Sequence, residues 1–337
     1  MGSLSRTLRV SAVSALVLIG TLVAALALGV GRVSLWQALW HSSSLSESES
    51  AILAGRAARV ALGALVGATL APAGVAFQAM LRNPLADPYV LGVSGGAAVT
   101  GTLALVLGLG AGVLGTWTVP VWAFGGAVVA ILFVYSVGTV RGRLVPNVAL
   151  LAGVVLNVLT AALVVLIRLV ATPQAAHRAL YWLTGTLREP EGVQLWVLGA
   201  YGLVGVGILI WLAVPLNALA LGEELAHSSG VSLERTRRLV FLAASLLTGA
   251  AVAFAGPIGF VGIVVPHALR GIIGPDHRAL LPATVLLGAA FIVAADTLTR
   301  LAFLWLETEP TVGVVTALLG APFFLVVLRR RGAERVF

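Results

Sequence analysis

The chain has 337 residues, 59% of them hydrophobic and 10% charged, with a formal net charge of +8 and no cysteine. Soluble domains carry about 25% charged residues, so this balance excludes a soluble fold and leaves a polytopic membrane protein. Without cysteine there are no disulfides, thiolate metal sites or iron–sulfur ligands.

Arg6 and Arg9 precede an apolar run over 10–30. A signal peptide has an apolar core of about 7–15 residues, whereas a spanning helix needs about 20. The run reads as an uncleaved first helix with its N-terminus inside. Further runs of spanning length fall at 57–80, 89–110, 117–139, 146–171, 193–214, 236–256, 258–273, 280–299 and 312–328, the eighth short and rich in Gly and Pro. About ten spans put both termini on one side. With the N-terminus inside, fourteen arginines fall on inner segments and six on outer ones, with Arg168 within a span. That bias supports an N-in, C-in arrangement, and the basic charge reads as this bias, not as a nucleic-acid surface.

The loops carry further signals. The outer segment 31–55 holds a Ser/Glu-rich stretch at 42–50, and the outer segment 172–192 holds Tyr181 and Trp182, which fit an interfacial belt. The inner segment 215–235 is amphipathic, with Gly222 and Gly230 as punctuation, and reads as one or two short helices outside the membrane. The whole of 1–337 forms one transmembrane domain, all-α in class. A repeat runs through it: Leu65, Gly67, Ala68, Ala71, Ala73 and Gly74 match Leu247, Gly249, Ala250, Ala253, Ala255 and Gly256 at a constant offset, which also pairs Pro84 with Pro266 and Gly92 with Gly274. The two copies cross in opposite directions, and inverted repeats are a transporter habit.

All 21 basic residues are arginine. A P-loop needs a lysine on the nucleotide phosphates, so the chain carries no Walker A motif, and an ATP-driven process requires a separate ATPase subunit. The five histidines are scattered without metal-ligand spacing, and no metal site is expected. An ion-coupled secondary transporter is the alternative, but it needs carboxylates or histidines deep in the spans as relays, and almost none lie there. A membrane enzyme should show clustered His, Asp and Glu at one face, and no such cluster is seen.

Several long motifs stand in order: RNPLADPYVLGVSGGA at 82–97, GEELAHSSGV at 222–231, GPIGFVGIVVPHALR at 256–270, GPDHR at 274–278, ADTLTR at 295–300 and VGVVTALLGAPFF at 312–324. Together they resemble the FecCD-type permeases, the membrane subunits of type II ABC importers for iron–siderophore complexes, haem and vitamin B12. The resemblance extends from about Arg56 to Arg330. It implies a homodimer of ten-helix subunits in the cytoplasmic membrane, with a substrate path at the dimer axis. It also implies two ATPase subunits inside, which hold the ATP and Mg, and a binding protein outside. This chain itself binds no cofactor. The cargo is a metal chelate, iron–siderophore first, with vitamin B12 and haem next.

The resemblance assigns roles residue by residue. Arg56, Arg59 and Arg300 match the arginines that receive acidic residues of the binding protein, where guanidinium forks pair with carboxylates. Leu221, Gly222, Glu223, Glu224, Ala226, His227, Ser228 and Gly230 match the segment that seats in the ATPase groove, with Ser229 standing where the family usually has Leu. The inner loop with Arg141, Arg143 and Asn147 matches the region that narrows the path. Arg168 either snorkels to the interface or contacts an anionic chelate. Asp296 is either structural, capping its helix or pairing with Arg300, or a functional group near the outer end of its span. The turn residues Arg82, Asn83, Pro84, Asp87, Pro88 and Gly92 form a structural hinge, Ser94 and Gly95 begin the stretch 94–98 that packs the third helix against its neighbours, and the repeat offers the hinge a counterpart around Pro266 and His267. Around Glu307–Thr311 the proline is shifted by one from the family's pattern.

Overall fold

The computed structural model describes residues 2–29, 46–109, 114–228 and 230–334. Among them, seven helices are long and apolar enough to cross a membrane, and three shorter apolar helices accompany them. Each of these ten corresponds to one of the ten predicted spans. They are α1 (Gly2–Ala27), α2 (Glu47–Met80), α3 (Val93–Val106), α4 (Thr118–Gly138), α5 (Pro146–Leu169), α7 (Gly192–Trp211), α10 (Leu233–Ala255), α11 (Val261–Ile273), α12 (His277–Leu306) and α13 (Val312–Glu334). Three more helices lie between spans: α6 (Pro173–Leu183), α8 (Ala213–Leu221) and α9 (Glu223–Ser228).

The core is built from α2, α10 and α12, whose apolar windows are 78%, 72% and 67% buried, against 11% for α1. Lipid is as apolar as leucine, so helices in a bilayer associate by close packing, and small residues permit it. The sequence supplies those residues at the contacts. A methyl group on Gly67 would stand 2.0 Å from the carbonyl oxygen of Gly288, and one on Gly74 would stand 2.1 Å from that of Gly262. Gly63 faces Ile292 and Val293, so α2 and α12 run antiparallel. Phe77 meets Phe241 edge-on at 6.5 Å, and Leu62 shares a cavity wall with Ala253, so α2 and α10 also run antiparallel. These are the two copies of the repeat, and they cross in opposite directions as predicted.

The repeat ends there. Gly74 lies inside α2, whereas Gly256 ends α10. Pro84 stands in a turn between helices, whereas Pro266 lies within α11. The counterpart expected for the 82–88 turn around Pro266 and His267 is therefore helix, not a second turn. His267 instead packs its ring edge-on against Phe323 at 5.8 Å.

Several boundaries differ from the sequence reading. α2 begins at Glu47, ten residues before the predicted span, because Ser46 and Glu49 form a reciprocal capping box. The outer segment 172–192 contains the helix α6, capped by Thr172. Trp182 on it is not an interfacial residue: it is buried against Gly101, where a methyl group would lie 2.6 Å from the indole. The loop between α4 and α5 is a hairpin, with β1 (Thr139–Val140) antiparallel to β2 (Arg143–Leu144). Its two turn residues, Arg141 and Gly142, have φ of 51° and 76°, as a two-residue hairpin turn requires.

The 81–98 stretch is a hydrogen-bonded turn that leads into a closely packed helix. Asn83 accepts from Leu85 N–H at 3.0 Å and Asp87 from Tyr89 N–H at 2.8 Å. Pro88 opens a short 3-10 turn, and Gly92 at φ 79° starts α3. Gly95 faces Thr160 and Asn157, and Gly96 faces the carbonyl of Gly126. Asn157 in turn donates to the carbonyl of Tyr89 at 3.0 Å. Arg82 holds φ 48°, the left-handed region.

Candidate functional site

The charged residues gather at the two ends of the bundle. At the end predicted to face outward, Asp296 is 1% exposed and lies between two guanidiniums. Arg59 Nε donates to Asp296 Oδ1 at 2.7 Å, and Arg300 Nε donates to Oδ2 at 3.1 Å. Arg59 also pairs with Glu309. Arg300 reaches the carbonyls of Ala25 and Leu28 at 3.0 Å each, and Arg56 Nη1 reaches that of Leu26 at 2.6 Å. Those carbonyls belong to the end of α1, where the helix leaves its last acceptors unsatisfied and cations are favoured.

This arrangement redistributes the three predicted docking arginines. Arg56 and Arg300 are each 7% exposed and tie α1 to α2 and α12. Arg59, with a side chain 22% exposed, is the most open of the three. All three line a cleft of ≈ 480 Å³ with Arg188, Glu189 and Glu309. Arg188 lies over the Tyr181 ring at 5.9 Å. The sequence reading did not single out Arg188, Glu189 or Glu309. An arginine and a glutamate in a proline-flanked outer segment were the available signal for the first two. The Glu307–Thr311 departure marked the region of the third without revealing its partner. Asp296 does pair with Arg300, as one of its two readings held.

At the opposite end, α8 and α9 form the segment predicted as one or two short helices. Gly222 ends α8 at φ 131°, and Gly230 follows α9 at φ 74°. Ala226 is buried, while Leu221, Glu224, Ser228 and Gly230 are exposed. The side chains of Glu223 and His227, and all of Ser229, lie outside the described residues.

The hairpin stands beside this segment. Leu144 N–H donates to both carboxylate oxygens of Glu234 at 3.1 Å, and Arg238 bridges Glu234 to the carbonyl of Gly142 at 2.5 Å. Arg143 and Asn147 line a cavity of ≈ 510 Å³ together with Arg82 and Arg237. Arg141 sits exposed at the hairpin tip. Arg168 is not part of this group. It occupies the last turn of α5, whose first turn holds Asn147, and at 1.5 Å per residue the two are about 30 Å apart. The gate and path candidates therefore belong to opposite ends of one helix.

No group of three or more His, Cys, Asp or Glu residues suited to a metal ion occurs among the described residues.

Residues 15–330 match the model of the FecCD transport family. The chain belongs to the FecCD transport family. Relatives include the cobalamin import system permease BtuC of Halobacterium salinarum, 45% identical over 82% of this chain and 72% of its own length. The vitamin B12 import system permease BtuC of Klebsiella pneumoniae is 40% identical over 80% of this chain and 79% of its own. A solved metal-chelate type ABC transporter in an inward-facing conformation superposes with a TM-score of 0.82 at 29% identity, covering 96% of this chain and 99% of that one. As a FecCD permease the chain is a multi-pass membrane protein and a transport subunit, and the motifs at 82–97, 256–278 and 295–324 fall on the elements just described.

Proposed function

We propose that this FecCD permease is the membrane subunit of an ATP-driven importer for a corrinoid of the vitamin B12 class. One observation carries the reading: a guanidinium-lined cleft and the short helix α8 stand at opposite ends of the same helix, α12. The arginine bias makes the cleft the outer end and α8 the inner end. The cleft receives an acidic surface of a substrate-binding protein, with Arg59 and Arg188 as the accessible donors. The inner helices, from Leu221 to Gly230, seat in a groove of an ATPase subunit, a helix-in-groove mode.

Two copies of the chain form the path. The exposed apolar residues Leu151, Val155 and Val158 on α5 provide the face that meets the second copy. The hairpin with Arg143 and Asn147 closes the inner end, and ATP binding to the ATPase pair moves α8 and α9 and so changes which end is open. ATP and Mg belong to the ATPase. The missing lysine supports that division of labour.

The names borne by the relatives weight the cargo toward cobalamin and away from the siderophore ranked first on sequence grounds. Competition settles it. Proteoliposomes containing this chain, its ATPase and its binding protein are expected to take up labelled cyanocobalamin, with excess unlabelled cobalamin competing and a ferric siderophore not competing. Uptake of the ferric siderophore, unaffected by cobalamin, would replace the corrinoid with a siderophore.

A further inference from the structure

One polar joint at the inner face belongs to neither the cleft nor the hairpin. Asn217 lies on α8, one turn ahead of the exposed coupling residues. Its Nδ2 donates to Asp276 Oδ1 at 2.8 Å, and its Oδ1 accepts from the backbone N–H of His277 at 2.9 Å. His277 Nδ1 lies 2.6 Å from the same Oδ1, so Nδ1 carries the proton and donates. Turning the amide over would set its NH2 against two donors, so the network fixes its orientation. Asp276 in turn caps α12, accepting from Arg278 N–H at 3.0 Å, with the Arg278 guanidinium on its other oxygen at 3.0 Å.

Two further features bear on the joint. His277 is 3% exposed, so the joint is buried. α12, which starts at the joint, has 30 residues, which makes it about 45 Å long. It lies backbone against backbone with α2 at Gly67 and Gly288, and its far end carries Asp296 and Arg300.

We propose that Asn217 is the positioning residue that passes movement of the coupling helices to the start of α12, and through α12 to the outer cleft. This rests on the importer reading. A displacement of α8 pulls on a directional amide held at three points, and α12, packed backbone against backbone on α2, carries it across the membrane. Without that joint, a binding protein on the outer cleft no longer controls hydrolysis at the inner face.

The test uses the full transporter in proteoliposomes, and the readout is the ratio of binding-protein-stimulated to basal ATP hydrolysis. Asn217→Asp sets a carboxylate against Asp276, and the ratio is expected to fall toward one, the value without coupling. The double variant Asn217→Asp with Asp276→Asn restores a carboxylate–amide pair and keeps a good cap, and the ratio is expected to return. A loosened fold lowers basal and stimulated rates together and leaves the ratio in place. Should Asn217→Asp not assemble, Asn217→Ser, smaller and neutral, is read for the same loss. A wild-type ratio in the single variant, or no recovery in the double variant, overturns the joint. If the wild-type chain shows no stimulated hydrolysis with its ATPase and binding protein, the importer reading falls and the joint with it.

Discussion

Asp296 holds the outer cleft together. It faces Arg59 and Arg300 while 1% exposed, and removing one partner of a buried charge set costs ~3–5 kcal/mol, because the remaining charges are left uncompensated. Asp296→Ala should therefore lower the thermal unfolding temperature of the purified protein substantially. Glu309, one-third exposed, contributes on the scale of a surface pair, about 1 kcal/mol or less. Glu309→Gln should leave the unfolding temperature nearly unchanged. Equal losses from the two variants would contradict the assignment of Asp296 as the buried centre. Glycines divide in the same way. A methyl group at Gly74 meets the Gly262 carbonyl at 2.1 Å, whereas one at Gly207 meets nothing within 4 Å. Gly74→Ala should reduce the yield of folded protein in membranes, and Gly207→Ala should not.

Among the elements, short segments were harder to read than long ones. The helix α2 was legible from its apolar run, but its first ten residues looked like a polar loop. The Ser46-x-x-Glu49 cap was the signal that they were helix, and it competed with a composition rich in serine. α6 is amphipathic and only 11 residues long, so hydropathy windows sized for spans pass over it. The hairpin at 139–144 rests on Glu234, about ninety residues away, and no local pattern announces that bond. The joint between α8 and α12 is of the same kind, since Asn217 and Asp276 meet only in the fold. It also sets a pH dependence. The Arg278 guanidinium, then Asn217, hold the Asp276 carboxyl down to about 2 against the opposing effect of burial, below the ordinary value of about 3.9. A lowered acid stabilises the fold fully above the unfolded value, and the contribution is lost as pH falls toward the folded one. Hydrogen-exchange protection of the α8 amides, corrected for intrinsic rates, should be flat from pH 8 to 5 and reduced throughout in Asp276→Ala. A step near neutrality would assign the joint's strength to another group.

Over the whole molecule, the ten apolar segments, their order and the opposed directions of α2 and α10 were all readable, because spanning length and small-residue patterning are local properties of the chain. The repeat misled beyond Gly256, where one copy continues its helix and the other stops. The three arginines of the cleft stood out by motif position, but the carbonyls at the end of α1 that take Arg56 and Arg300 did not. The central claim is that this permease moves its cargo by ATP hydrolysis on a partner subunit. Uptake into proteoliposomes that hold this chain and its ATPase, with binding protein and substrate outside, tests it most directly. Uptake should require enclosed ATP and the ATPase and be indifferent to an imposed proton gradient. Uptake by this chain alone, driven by the proton gradient without the ATPase, would contradict it.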